Sequence, residues 1–324
     1  MIQIIAFSFN RAMQLDTLLT SLIEKWKSPE YKIDVIYNYS NESFGDGYKL
    51  LRKRFDENIV NLHRENNMKP DRWSLREILY PANLYRLIRN KKLRKPKTDF
   101  RSIAISIVEQ TKAENVMFLT DDSMFVSDVE ITHKELRWIN EKPTARQFSL
   151  RLGKGVSSLP SRISVEKKYC NWNMYENTGN WGYPFSVDAH IYNKNFLLRL
   201  LKNNLFTNPS TLEGYLKGIV SKRRWLAEGR CFADIKMLTF PINIVQNAVD
   251  NLSQDVSVEM LNQRYLHGDT LRYVVEKEYN ATKQYVREIE FTDKEGCKKI
   301  VPISDELIHP NANIFKDCKA SGGR

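Results

Sequence analysis

The stretch Val116-Met117-Phe118-Leu119-Thr120-Asp121-Asp122-Ser123 decides the fold. Four consecutive apolar residues that end abruptly on two carboxylates read as a strand buried on both faces, the kind found inside a parallel sheet. Ligands of open α/β sheets bind beyond the carboxyl ends of such strands. Two adjacent acids repel one another there unless something offsets them. A divalent cation, Mg2+ or Mn2+, does so while taking phosphate oxygens and water into the rest of its shell. The alternative is a solvated strand-to-turn junction, because Asp and Ser favour turns.

Working outward, residues 2–8 read as a first buried strand, followed by a helical pattern with Leu15, Leu18, Leu19, Leu22 and Ile23 on one face. Residues 33–38 form a second strand, Gly45-Asp46-Gly47 a turn, 48–55 a short basic helix and 59–63 a third strand. Residues 100–112 read as a helix with Ile103, Ile105, Ile107 and Val108 buried, feeding the strand that ends at Asp121-Asp122. This alternation indicates a mainly parallel α/β sheet with right-handed crossovers, flanked by helices.

Residues 64–98 interrupt the pattern with Trp73, Leu75, Ile78, Leu79, Tyr80, Leu84, Tyr85, Leu87 and Ile88, then a basic run through Lys97. Leu84, Leu87 and Ile88 have helical spacing with cations beside them, as in an interfacial amphipathic helix. An ordinary surface helix followed by a solvated loop has the same pattern.

The 324 residues carry a formal net charge of +11, which favours anionic partners. No recognisable nucleic-acid module accompanies the basic run, so nucleic acid is not an expected partner. Cys170, Cys231, Cys297 and Cys318 lie far apart, as reduced thiols of a cytoplasmic protein do. The first apolar run is short and has no basic region before it, unlike a secretory leader, and no apolar run has the length of a transmembrane helix. The expectation is a cytoplasmic protein, with peripheral contact to an anionic inner membrane face through the basic segment.

A strand opening the chain, the loop Ser8-Phe9-Asn10-Arg11 and a later strand ending in Asp121-Asp122 together resemble the GT-A fold of nucleotide-sugar glycosyltransferases, broadly of the family-2 type. The resemblance spans residues 1–250, with 64–98 as a basic insertion and 251–324 as a C-terminal helical extension with a hairpin and a flexible tail. It implies a nucleotide-sugar donor, a glycan or lipid-linked glycan acceptor, and Mn2+ or Mg2+. It also assigns Phe7, Ser8, Asn10, Arg11, Asn41, Arg101 and Asp121 to the donor nucleotide. Asp122 and Asp121 would hold the metal with His267 as a further ligand, His309 and Asn247 being the other options. The family's usual Asp-any-Asp is here Thr120-Asp121-Asp122-Ser123, so one anchoring acid is displaced by a position or replaced by Thr120 or Ser123.

Residues 147–152 alternate like a strand and bring Arg151 and Lys154 forward as cationic helpers for a leaving diphosphate. Tyr169, Trp172, Tyr175, Trp181, Tyr183 and Phe185, interspersed with Asn171, Asn173, Asn177 and Asn180, suit a sugar platform or, equally, a minor core. Residues 184–192 read as a strand with Asp188 as its inner acid. Asn208-Pro209-Ser210-Thr211 starts a helix whose first turn carries Glu213. In the family a helix at this place begins with Glu-Asp and supplies the catalytic base. Here the pair is Glu213-Gly214, so Glu213 is either the base or a partner of the helix dipole, and Asp188 competes with it.

Residues 241–247 suggest a last short strand, 255–290 helices, and 286–303 a hairpin turning at Lys294-Glu295-Gly296. Two other functions share these features. One is a non-catalytic membrane- or nucleic-acid-binding protein on the same fold. The other is a sugar-phosphate nucleotidyltransferase, whose usual Gly-rich first loop is replaced here by Ser8-Phe9-Asn10-Arg11.

Overall fold

The computed structural model of the chain describes every residue except 29, 157, 158, 160, 161, 246–251, 276–281, 305, 306 and 309–324, and the side chains of Lys92 and Ile308. The first strand, β1 (Ile2–Phe9), is followed by α1 (Ala12–Lys25), β2 (Tyr31–Asn38), α2 (Glu42–Arg54) and β3 (Val60–Arg64). Three short helices, α3 (Leu75–Leu79), α4 (Pro81–Arg89) and α5 (Lys91–Arg94), precede α6 (Phe100–Gln110), β4 (Asn115–Thr120), β5 (Ser123–Phe125), α7 (His133–Glu141) and β6 (Arg146–Ser149). Then come β7 (Ile163–Val165), β8 (Tyr169–Asn173), β9 (His190–Asn193), α8 (Lys194–Asn203), α9 (Pro209–Arg223), β10 (Glu228–Phe232) and β11 (Met237–Thr239). The described C-terminal part holds β12 (Ser253–Gln254), α10 (Val258–His267), β13 (Thr270–Tyr273), β14 (Glu288–Thr292), β15 (Lys298–Pro302) and β16 (Leu307–Ile308).

Nine strands form the central sheet in the order β3-β2-β1-β4-β9-β6-β10-β8-β7. The half from β3 to β4 is parallel, whereas β9 runs antiparallel to both β4 and β6. Side chains of β4 alternate between faces with period two. Met117 and Leu119 join Leu15, Leu18 and Phe148 in one buried cluster, and Val116 and Phe118 join Phe7, Phe100 and Phe196 in the other. Burial on both faces is why β4 is apolar without interruption, and its first polar residues appear where the layers end.

Several local expectations are corrected. Gly45 and Gly47 lie inside α2 instead of forming a turn. A Cβ on Gly45 would come within 2.7 Å of the Tyr39 ring, and one on Gly47 within 2.6 Å of Asn262 Oδ1, so both glycines serve close packing of the helix. Residues 184–189 are irregular, and only His190–Asn193 pair as a strand. Residues 271–273 are part of β13 rather than a helix, paired to the expected hairpin of β14 and β15. Residues 240–245 form no strand, while 246 and 247 lie outside the described residues.

The C-terminal elements pack on the N-terminal helices. Tyr265 donates to Asp16 Oδ2 at 2.7 Å, Thr17 donates to the Leu271 carbonyl at 2.8 Å, and Leu261, Tyr273 and Phe291 enter the same cluster as Leu15. No helix among the described residues is long and apolar enough to cross a membrane.

Candidate active site

The parallel register sets Phe7 of β1 beside Thr120 of β4, so the residues just beyond them meet at one sheet edge. Ser8 donates from its hydroxyl to Asp121 Oδ2 at 2.8 Å, and the Phe9 amide approaches the same oxygen at 3.3 Å. Arg11 donates to Asp121 Oδ1 at 2.9 Å, to Asp122 Oδ2 at 3.5 Å and to the Asn243 carbonyl at 2.6 Å. The Tyr48 hydroxyl lies 2.7 Å from that of Ser8 and accepts from the Arg11 amide at 3.2 Å. Asn10, at φ +58°, exchanges two side-chain bonds of 2.9 Å with Ser40 and so ties the β1 loop to the β2 loop.

A guanidinium therefore offsets the two adjacent acids. Burial pushes the Asp121 carboxyl up to about 6, with the Arg11 attraction opposing and the Asp122 charge adding to the shift. Arg11 is itself held above its ordinary value despite burial by the charges of Asp121 and Asp122. Both shifts are upward, which weakens the charged form of Asp121 and strengthens that of Arg11. The guanidinium stays charged at any biological pH, so the carboxyl is the partner that titrates.

A second constellation adjoins the first through Thr120. Its hydroxyl donates to Asp188 Oδ1 at 2.9 Å, and Arg151 donates to Asp188 Oδ2 at 2.9 Å and to the Thr282 hydroxyl at 2.9 Å. Asp188 precedes Ala189, which sits at φ +52°, a conformation that side chains with a Cβ seldom adopt. The bend lets the Ala189 amide bond the Phe118 carbonyl at 2.8 Å while Asp188 turns toward Thr120. Glu213 follows: its Oε1 accepts from the Val187 amide at 3.1 Å, with the Tyr183 and Ser186 hydroxyls against the carboxylate. Burial, reinforced by the Asp188 charge, raises the Glu213 carboxyl. Glu213 lies one turn beyond the start of α9, whose cap is Asn208, reciprocated by Thr211, so the dipole-partner reading of Glu213 falls away.

Next to Asp188, His190 is buried with Nδ1 2.8 Å from Gln147 Oε1 and Nε2 3.1 Å from the Ser149 hydroxyl. Burial, with the Arg151 charge adding, pushes its imidazole down to about 3.

Other expected site residues lie elsewhere. Phe7 faces the core, its ring 5.4 Å from those of Phe100 and Phe118, because β1 is buried on both faces. Arg101 is buried among the carbonyls of Leu201, Lys202 and Asn204 and pairs with Glu77, satisfying the end of α8 instead of a ligand. Asn41 caps α2 by accepting from the Phe44 amide. Trp172 and Trp181 pack edge to face at 4.9 Å inside the core, and Asn173 and Asn177 bond local backbone, so most of the aromatic stretch is core. Tyr48 was not legible as a site residue, and Thr120, open as a replacement for the anchoring acid, instead bonds Asp188. The one signal for Tyr48 is its i+4 spacing from Phe44 on the buried face of α2.

Asp122 has one buried oxygen, Oδ1, without a hydrogen-bond partner. That orphan fits a cation held by a single carboxylate and by donor phosphates. Asp121 does not fit, since both its oxygens are engaged. His267 sits exposed on the last turn of α10 with Nδ1 2.7 Å from the Gln263 carbonyl, and no cluster of three metal-ligating side chains occurs among the described residues. His267 is therefore corrected to a surface residue, and His309 and Asn247 lie outside the described residues.

The chain is similar in sequence to a glycosyltransferase. It is 25% identical to the bifunctional glycosyltransferase pgtA of Dictyostelium discoideum, over 81% of this chain and 35% of that protein. The chain thus spans about a third of the length of the curated relative it matches. No family model matches. Solved structures give loose likenesses: S. aureus TarS 1–349 in complex with UDP-GlcNAc, at 14% identity, TM-score 0.40, 73% of this chain and 57% of that one; and the mannosyltransferase PcManGT from Pyrobaculum calidifontis with GDP-Man and Mn2+, at 11%, 0.28, 48% and 36%.

Proposed function

We propose that this chain transfers a sugar from a nucleoside-diphosphate donor to a hydroxyl of a glycan or lipid-linked glycan, with inversion. One observation carries the reading. A run of acids, Asp121-Asp122, then Asp188, then Glu213, is strung along the end of the parallel half-sheet, with Thr120 and Val187 joining its steps and Arg11 and Arg151 beside it. Nucleotide-binding crevices of open α/β sheets lie at this edge.

Ser8, Asn10 and Arg11 line the donor end, where Arg11, engaged by Asp121 and the Asn243 carbonyl, holds the β1 loop in place for the diphosphate. Asp122, through its orphan Oδ1, would hold Mn2+ or Mg2+, which when bound neutralises charge growing on the leaving diphosphate. Of the two candidate bases, Glu213 is favoured. Asp188 has both carboxylate oxygens engaged by Thr120 and Arg151, whereas Glu213 has its proton affinity raised by burial and by Asp188. A base with raised affinity takes the acceptor proton more readily, provided the acceptor oxygen comes within hydrogen-bond reach. Asp188 then acts as a positioning residue that keeps Arg151 and Thr120 in register. On this reading residues 1–250 bind donor and acceptor, and the described part of 251–324 braces α1 and α2 from behind.

The test is calorimetry of the chain with uridine, guanosine, cytidine and thymidine diphosphates, with and without Mn2+, alongside hydrolysis of the corresponding nucleotide sugars. Binding of at least one diphosphate, strengthened by Mn2+, is expected. No binding of any would overturn the proposal.

A further inference from the structure

Helix α4 is built inside out. Its inner face is polar: buried Asn83 donates to the carbonyls of Glu77 and Asn203 and accepts from the Leu205 amide, and Arg86 donates to Asn204 Oδ1 and to the Tyr215 carbonyl. Its outer face carries Leu84, Tyr85 and Ile88, the last 64% exposed, and α3 beside it exposes Leu75 and Leu79 at 72% and 62%. Five large apolar side chains in water on two adjoining short helices are a patch, not scattered surface residues. A shallow cleft of about 310 Å3 between Trp73, Ile78, Leu84, Leu87, Ile88 and Arg94 continues it inward.

The charge around the patch has one sign. Arg76, Arg89, Lys91, Arg94, Lys95 and Lys97 are exposed. The acids of the segment are engaged: Glu65 by Thr98 and Asn38, Glu77 by Ser74 and Arg101, Asp71 by the Ser102 hydroxyl and the backbone amides of Arg101 and Ser102. Arg89 lies 4.9 Å over the Tyr85 ring, so cation and apolar face are contiguous. An aromatic and aliphatic face rimmed by cations is the chemistry of a helix lying in the headgroup region of an anionic bilayer.

We propose that α3 and α4 dock the chain onto an anionic phospholipid surface, Leu75, Leu79, Leu84, Tyr85 and Ile88 entering the acyl boundary and Arg89, Lys91 and Lys95 meeting lipid phosphates. This goes beyond the sugar-transfer reading, and either can fail alone.

The experiment is sedimentation of the whole chain with vesicles of phosphatidylcholine alone and of phosphatidylcholine mixed with phosphatidylglycerol, with ultracentrifugation of the lipid-free protein. Binding to the mixed vesicles only is expected. The triple substitution Arg89→Gln, Lys91→Gln, Lys95→Gln should lower partitioning by about a hundredfold, roughly fivefold per cation. The substitution Leu84→Ser, Tyr85→Ser, Ile88→Ser should abolish it. Because every substituted side chain is exposed, circular dichroism should be unchanged for both variants, and a third variant, Leu75→Ser with Leu79→Ser, repeats the apolar test on α3. No binding by the wild type overturns the proposal, as does equal binding to neutral vesicles. Self-association that Leu84→Ser, Tyr85→Ser, Ile88→Ser removes, without vesicle binding, would assign the face to a second copy instead.

Discussion

Arg11 and Asp121 form a salt bridge of 2.9 Å with both side chains more than nine-tenths buried, across 110 residues of sequence. The guanidinium therefore fixes the β1 loop to the end of β4 before any ligand arrives. Removing it leaves two carboxylates facing each other with their main counter-charge gone. Arg11→Met should lower unfolding free energy by about 3–5 kcal/mol in urea titration, the range for breaking one side of a buried pair. A loss below about 1 kcal/mol would mean that the acids are neutralised in another way.

The raised Asp121 carboxyl has a sign that can be checked. Its folded value, about 6, lies above the ordinary 3.8, so its contribution to stability is complete below about pH 4 and is lost as pH rises through about 6. Asp121→Asn should remove this dependence. The stability difference between variant and wild type should then grow in the variant's favour by about 3 kcal/mol from pH 4 to 7, less whatever is lost with the Arg11 pair. A difference independent of pH would show that Asp121 keeps an ordinary affinity.

Asp122→Ala should leave the fold intact, because it removes a carboxylate with one unpartnered oxygen and relieves repulsion at a strand end. Diphosphate binding should lose its strengthening by Mn2+, and transfer should fall to background. Wild-type turnover of this variant with Mn2+ present would rule out the carboxylate as metal ligand.

Glu213→Gln preserves size and can still accept from the Val187 amide. If Glu213 is the base, transfer should drop by about 10²–10⁴-fold with donor affinity little changed. In the wild type the acid limb of kcat/KM should lie above the usual glutamate value, following the upward shift. Asp188→Asn should reduce turnover less and move that limb down toward the usual glutamate value, because the Asp188 charge is part of the upward shift. If neither substitution reduces transfer, the inverting mechanism is lost and a retaining one takes its place.

Ala189 offers a check on the backbone that presents Asp188. At φ +52° its Cβ is strained, and Ala189→Gly should raise stability by about 1 kcal/mol. The same change should loosen Asp188 and lower kcat with KM for the donor unchanged. A destabilised variant would mean the bend is not strained.

Much of the parallel half was legible because its signal is local. An apolar run of four residues from Val116 to Leu119, with acids soon after it, reports burial on both faces and the position of the edge, and β1, β2 and α6 are legible for the same reason. What could not be read depends on partners distant in sequence. Gly45 and Gly47 look like turn residues until Tyr39 and Asn262 are packed against them. Arg11 reads as a phosphate ligand until Asn243 and Asp121 are brought to it, and Phe7 and Arg101 look available until β4 and α8 cover them. Residues 184–189 alternate like a strand, yet the left-handed Ala189 breaks the ladder to present Asp188. Such backbone exceptions gather where function demands a side chain in an unusual place.

His190 and Asp121 leave a final consequence for how the protein meets acid. The imidazole is held at about 3, below its ordinary 6.5, so as pH falls from 6.5 the unfolded chain takes up a proton that the native chain refuses. Asp121, held at about 6, does the reverse: there the native chain binds a proton that the unfolded chain leaves in solution until near pH 4. Between about pH 4 and 6 each group contributes one proton with opposite sign, and their linkage slopes cancel. The two side chains thus make a compensated couple: taken together they add no net slope to the fold's response to mild acidification.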